Sequence, residues 1–506
     1  MQTRLKACVA LLAAISVLTL LGCSSGTLST QPPPTSPPPT QPPQPPPSQP
    51  QPIPTQPPPT PTPPTSAPPA PGEWTWISGS NTVNQLGAYG TEDVPAASNV
   101  AGGRYGAVTW TGASGSLWLF GGFSIVDGRN LNDLWEYSGD KWTWVGGSNL
   151  PGQLGAYGTQ GEPAPGNVPG ARELAASSVD ASGNFWLFGG QRIGESDSPG
   201  ILDDLWKYSN GEWTWMGGSN LPANPGTAGG FQGTGVYGTL GVAAPGNVPG
   251  ARYEADSWTD AAGNLWLFGG LGVDSAGNLG LLNDLWKYSN REWTWMSGSD
   301  KGDQYGVYGT LGVAAPTNVP GSRSGAVVWT DAADNLWLFG GEGASIAGGC
   351  SGSTCVLNDL WKYTVSTNMW TWMGGSDLNN QAGVYGTQGV AAPDNLPPPR
   401  ENAVGWMDAA GNFWLFGGDE GALEASLNDL WKYSNGKWTW ESGSNTPCGA
   451  GSYGTQGTPA PGNTPGARIF AVGWADKAGN LWFFGGDDFC NPYGDANYND
   501  LWEYQP

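Results

Sequence analysis

The chain has 506 residues, rich in Gly (82), Pro (45) and Trp (29), with charged residues held to 12%. That length is too great for one ordinary core and suits a repeat array or a large closed β-fold, and the lack of a G-X-Y period excludes collagen. The net charge of −23 argues against nucleic acid, and the absence of any histidine removes Ser-His-Asp and Cys-His catalysis and imidazole metal sites.

The N-terminus carries Arg4 and Lys6, then an apolar run from Ala10 to Leu21 that is too short for a membrane span. The run ends in Leu20-Leu21-Gly22-Cys23, which resembles the lipobox of bacterial lipoproteins. That resemblance implies a signal peptide over 1–22, cleavage before Cys23 and acylation of its thiol. With Ser24 following, it implies a lipid-anchored protein of the cell envelope, sorted to the outer membrane and facing the periplasm or the surface. Residues 31–71 are almost wholly Pro, Gln, Thr and Ser. Such a segment cannot bury a core and favours extended polyproline II, so 23–72 is expected to be a stalk.

From Glu73 onward the chain repeats six times. Each repeat has a single Arg (Arg104, Arg172, Arg252, Arg323, Arg400, Arg468) opening a short run. An aromatic run ending in Gly-Gly follows, such as LWLFGG (117–122), and then a DLW-Tyr phrase, at Trp135 in the first copy. A W-T-W phrase completes the unit, at Trp142 in the first copy. All 29 tryptophans fall in this register. The runs are short, aromatic or β-branched, and bounded by Gly, Asn, Asp or Ser, which is the pattern of strands. DASGN (180–184) and SNGE (209–212) have the composition of tight hairpin turns. Each unit is therefore expected to be four antiparallel strands, with W-T-W placing two Trp on one face and Thr on the other.

These residues resemble the kelch repeat: an Arg-led strand, an aromatic strand ending in Gly-Gly, N-D-L-W-x-Y and a Trp strand. The resemblance covers 73–506 and implies an all-β, six-bladed kelch-type β-propeller, related to the propellers of galactose oxidase-like proteins. The chain opens with the phrase's last strand (EWTW, 73–76) and closes with its third (NDLWEY, 499–504). The last blade is thus expected to be closed by the N-terminal strand.

Antiparallel order puts the loops between second and third strands, and those between repeats, on one face. The former differ in every repeat, and variable loops on a constant frame are where recognition is usually placed. The six arginines are expected to ring the channel mouth on that face as an anion site, or else to bond loop carbonyls. Glu173 and Glu401, which directly follow two of them, are the candidate paired acids. The regular Tyr of the connecting loops (Tyr89, Tyr157, Tyr237, Tyr308, Tyr385, Tyr453) is read as scaffold. An exported chain favours disulfides Cys350–Cys355 and Cys448–Cys490. Asp487, Asp488 and Asp495 match no calcium-loop motif, so no metal and no cofactor is expected. The leading expectation is a monomeric, membrane-anchored binding propeller for protein or glycan. Copper radical oxidases that share kelch blades need histidine and are excluded. A sugar-active enzyme of the sialic acid mutarotase type, using Glu and Arg at the channel mouth, is the alternative.

Overall fold

The computed structural model describes residues 72–193, 199–223, 233–343, 355–421, 425–491 and 496–506. The expected signal peptide, Cys23 and the expected stalk up to residue 71 lie outside the described residues, as do Cys350, Asp495 and parts of four of the variable loops. Among the described residues there is no helix; the protein is all-β.

Six four-stranded antiparallel sheets are built among the described residues. Sheet 1 runs Val108–Thr111, Leu117–Phe120, Leu134–Ser138 and Lys141–Gly146 from its inner to its outer strand. Sheets 2 to 5 repeat it, with inner strands Ala176–Val179, Asp256–Thr259, Val327–Thr330 and Val404–Met407. Sheet 6 takes Val472–Ala475, Leu481–Phe484 and Leu501–Tyr504 from the end of the chain, and its outer strand, Trp74–Ser78, from the beginning. In that last pair Trp74 lies opposite Tyr504 and Trp76 opposite Trp502.

Turn chemistry explains the hairpins. Asp180 Oδ1 accepts the backbone N–H groups of Ser182 and Asn184, while its Oδ2 accepts Trp186 Nε1 at 2.9 Å. The carboxylate thereby ties the turn to the first aromatic residue pair of the next strand. The outer turn at Asn210-Gly211 holds φ of 52° and 84°, the left-handed pair that two-residue hairpins demand.

Packing between sheets accounts for the tryptophan content. One apolar cluster joins each successive pair of sheets, and one, containing Leu117, Trp135, Trp474 and Phe484, joins sheet 1 to sheet 6. Trp110 Nε1 donates to Trp186 O at 3.2 Å and Trp474 Nε1 to Trp118 O at 2.9 Å, so inner-strand tryptophans bond the neighbouring sheet as well as filling space. Both faces of each sheet are covered, which is why five of the W-T-W threonines, on the face opposite the tryptophans, are buried too: Thr75 is 3% exposed and Thr371 4%, while Thr143 is half-buried. The inner strands touch in sequence order from sheet 1 to sheet 6, and Val472–Ala475 in turn touches Val108–Thr111.

The arginines do not open the inner strand as expected. Arg104 precedes Val108, because Gly106 between them takes a left-handed φ of 61° that ends any extended run. The equivalent residues are Leu174, Glu254, Gly325, Asn402 and Phe470, with φ of 52–61°. Their backbones form a cycle. Leu174 N–H donates to Gly106 O at 2.7 Å, Glu254 to Leu174, Gly325 to Glu254, Asn402 to Gly325, Phe470 to Asn402, and Gly106 to Phe470 at 3.1 Å. Left-handed backbone costs a non-glycine residue roughly 1–2 kcal/mol. The cycle offsets that cost by satisfying six donors and six acceptors at once.

Candidate site at the centre of the backbone ring

The six arginines are frame, not mouth. Each is at most 2% exposed. Arg104 Nη1 and Nη2 reach Asp133 Oδ1 and Oδ2 at 2.6 and 2.8 Å, Nη1 also donates to Gly121 O, and Nε donates to Gly102 O. Asp133 also receives Tyr89 OH and Trp135 Nε1, both at 2.7 Å. The same node recurs at Asp204, Asp284, Asp359, Asp429 and Asp500. Burial works to lower the arginine pKa, but the aspartate charge and its hydrogen bonds outweigh it and the pKa rises. A guanidinium so engaged has no free fork for an anion. The expectation of an arginine-lined anion site is corrected accordingly, and the reading of the loop tyrosines as scaffold agrees with their bonds to the same aspartates.

What surrounds the ring centre is a tier of paired residues. The residue after each arginine bridges the residue after each Gly-Gly: Tyr105 with Phe123, Glu173 with Gln191, Tyr253 with Leu271, Ser324 with Glu342, Glu401 with Asp419, and Ile469 with Asp487. Two kinds of surface result. Phe123, Tyr105 and Phe470 form an aromatic run, with centroids 5.3 and 5.5 Å apart. Phe470 also packs against the cluster holding Leu174 and Tyr253. Beside it stand the acids Glu173, Glu254, Glu342, Glu401 and Asp419.

Glu254 is buried, 7% exposed. Its Oε2 accepts Ser324 Oγ at 2.9 Å, and its Oε1 has no partner. Glu173, 3% exposed, likewise has an unpartnered Oε2. Burial first, then the Glu342 charge, pushes Glu254 up to about 7. Burial, with the Glu254 charge adding to it against hydrogen bonding from Asn130, pushes Glu173 up to about 8. Glu401 is raised well above the ordinary range by burial and by the charges of Glu342, Glu254 and Asp419. Among the described residues no arginine or lysine side chain forms an ion pair with Glu254.

These shifts set a stability window. The folded state holds the Glu254 proton more tightly than the unfolded chain does. Its contribution is therefore full below about 4.5 and is lost as pH rises to about 7. The expected loss is on the order of 3 kcal/mol, at 1.36 kcal/mol per unit. Denaturant unfolding between pH 5 and 8 should show stability falling with pH, and Glu254→Gln should flatten the curve; a wild-type curve that rises over this range contradicts the assignment.

Of the two acids singled out in the sequence, Glu401 stands in this cluster and Glu173 acts on it through Glu254. Glu254, Glu342 and Asp419 were missed. They come from two different places in the repeat, and only Glu254 has a local signal, its position two after Arg252. Asp487 Oδ1 accepts Ala496 N, and Asp488 accepts Cys490 N and Tyr498 OH, so both are occupied within their loop. Among the described residues no group of three or more ligating side chains could hold a metal ion. Cys448 and Cys490 form a disulfide with Cα atoms 5.4 Å apart. Cys355 is disulfide-bonded; Cys350, its expected partner, lies outside the described residues.

No known family and no curated protein matches the chain. A solved structure titled "Structure of YjhT" is similar over 82% of this chain and 95% of that one, at 12% identity and a TM-score of 0.46.

Proposed function

We propose that the protein is a lipid-anchored, extracytoplasmic binding propeller that engages a protein or glycan ligand at the centre of its long-loop face. On this reading the six sheets are the blades of a kelch-type propeller shut by residues 74–78. Cys23 carries the lipid, and residues 23–72 form a stalk holding the propeller away from an outer membrane. The cyclic backbone bonds and the cluster joining sheets 1 and 6 support closure. One observation carries the binding role: unpartnered carboxylate oxygens and an aromatic run converge on the same rigid ring. Such groups have no need to be there for folding, since burying an uncompensated carboxylate costs stability.

Catalysis of the Glu-and-Arg type is the weaker reading. Glu401 is in position for it, but every repeat arginine is bound to its own aspartate.

Glycan-array and pull-down screens with the full chain test the proposal. Tyr105→Ala should lose at least about tenfold in retained ligand, as truncation of a central aromatic anchor does, while the unfolding curve stays close to wild type. Retention indifferent to Tyr105→Ala places the ligand elsewhere and overturns the assignment.

A further inference from the structure

The chemistry around the ring centre narrows the ligand beyond protein or glycan. The centre is lined by carboxyl groups, and among the described residues no arginine or lysine side chain is paired with them. The six arginines that could have balanced it are each closed into a bidentate pair with an aspartate of their own repeat. Four lysines, Lys207, Lys287, Lys362 and Lys432, lie over strand tryptophans at 4.9–5.6 Å from the ring centroids and so belong to the sheets. What remains at the centre is Glu254 with a bare Oε1, Glu342 close enough to act on it, and Glu401 acting with both. An anionic ligand would meet repulsion there. A neutral polyol would leave the carboxylates uncompensated. A small metal ion finds no ready set of ligands among the described residues. A cation with several donors, carried on a carbon stem that can lie along an aromatic surface, satisfies both halves of the site.

We infer that Glu254, Glu342 and Glu401 bind the ammonium group of a primary amine, whose carbon stem lies against Tyr105 and Phe470. The ammonium offers three donors. Glu254 Oε1 takes one at the deepest point, where Ser324 already occupies the other oxygen; Glu342 and Glu401, half-buried, supply the remaining acceptors nearer the solvent. Aromatic faces attract both the cation and the methylenes next to it. The overall charge of −23 draws cations toward the protein before contact. The inference rests on the ring centre being the ligand site, and it names the chemistry that site selects. A lysine side chain of a protein and an amino sugar of a glycan share that chemistry.

Isothermal titration of the full chain at pH 7, where the alkylamines and the less basic amine of glucosamine are all largely protonated and a bound ammonium favours the ionised form of the carboxyls, tests it. The probes are 1,5-diaminopentane, Nα-acetyl-lysine amide and glucosamine; 1,5-pentanediol, Nα,Nε-diacetyl-lysine amide and N-acetylglucosamine are their neutral counterparts. Each amine should bind at least about tenfold more tightly than its counterpart, and raising NaCl from 50 to 500 mM should weaken it several-fold. Glu254→Gln should weaken amine binding by about tenfold or more. Glu342→Gln, at a half-buried position, should do the same in a variant whose folding is under less strain. Glu441→Gln, on an outer strand, should change nothing. Tighter binding of the lysine probe points to a protein ligand and tighter binding of glucosamine to a glycan; either supports the inference. Amines and neutral counterparts that bind alike, or Glu254→Gln and Glu342→Gln that both leave amine affinity within about twofold, overturn it. If the amine fails while screened ligands are still lost in Tyr105→Ala, only the chemistry falls. If screened ligands ignore Tyr105→Ala while amine binding still depends on Glu254, the broader function falls and the amine site stands.

Discussion

Arg323→Ala should lower the unfolding free energy by about 3–5 kcal/mol, the cost of stranding one member of a buried ion pair. The Arg323–Asp359 pair is wholly buried, both side chains at 0% exposure, with Nη1–Oδ1 at 2.7 Å and Nη2–Oδ2 at 2.8 Å. The guanidinium also closes bonds to Gly340 O and Gly321 O. Removing it leaves a carboxylate in an apolar surround with only Tyr308 OH and Trp361 Nε1 as donors, and two carbonyls without partners. A single domain has about 5–15 kcal/mol in total, so this one change is a large fraction of it. The exposed pair Lys301–Asp300, at 3.7 Å and 48% and 44% exposed, is the contrast. Lys301→Ala should move stability by no more than about 0.5 kcal/mol. Equilibrium denaturation of both variants decides: an Arg323→Ala loss below about 1 kcal/mol would mean that the node is not part of the frame.

The second large effect concerns the terminal strand. Trp74 is 2% exposed and lies 4.8 Å from Tyr504, 5.4 Å from Phe483 and 5.5 Å from Phe416. It therefore joins sheet 6 to sheet 5 as well as pairing with the last strand. Its carbonyl accepts Asn463 Nδ2 at 3.0 Å. Trp74→Ala should cost about 3–5 kcal/mol, as large-to-small changes of buried aromatics do. Deleting residues 73–77 goes further, because it strips the partner from Leu501–Tyr504 and leaves an unpaired aromatic edge, which invites aggregation. The melting transition of the deletion should broaden and fall sharply. An unchanged melting curve would contradict a structural role for this strand.

Much of this frame was legible in the sequence because it is local and repeated. The LWLFGG runs, the DLW phrases and the tryptophan register announce strands and their order, and the split phrase at the two ends announces their pairing. The arginines were visible as a set, but their partners were not. The Asp of D-L-W lies 29 to 36 residues downstream of its arginine, and the loops between vary in length, so no fixed spacing links them. The left-handed ring left only a partial trace in residue type: Gly106, Gly325 and Asn402 suit such backbone, but Leu174, Glu254 and Phe470 do not. The acid cluster was half seen. Glu173 and Glu401 stood out because they follow arginines, whereas Glu342 and Asp419 follow Gly-Gly and reach the same place only once the sheets surround a common centre.

That common centre depends on the two ends of the chain meeting in one sheet. Amide hydrogen exchange across Trp74–Ser78 is the most direct test. The backbone N–H groups of these residues should exchange as slowly as those of the other outer strands, such as Lys141–Gly146 and Glu292–Ser297. Exchange at the rate of an unstructured tail would mean that the terminal strand is not docked, and with it would go the closed frame on which the ring-centre site depends.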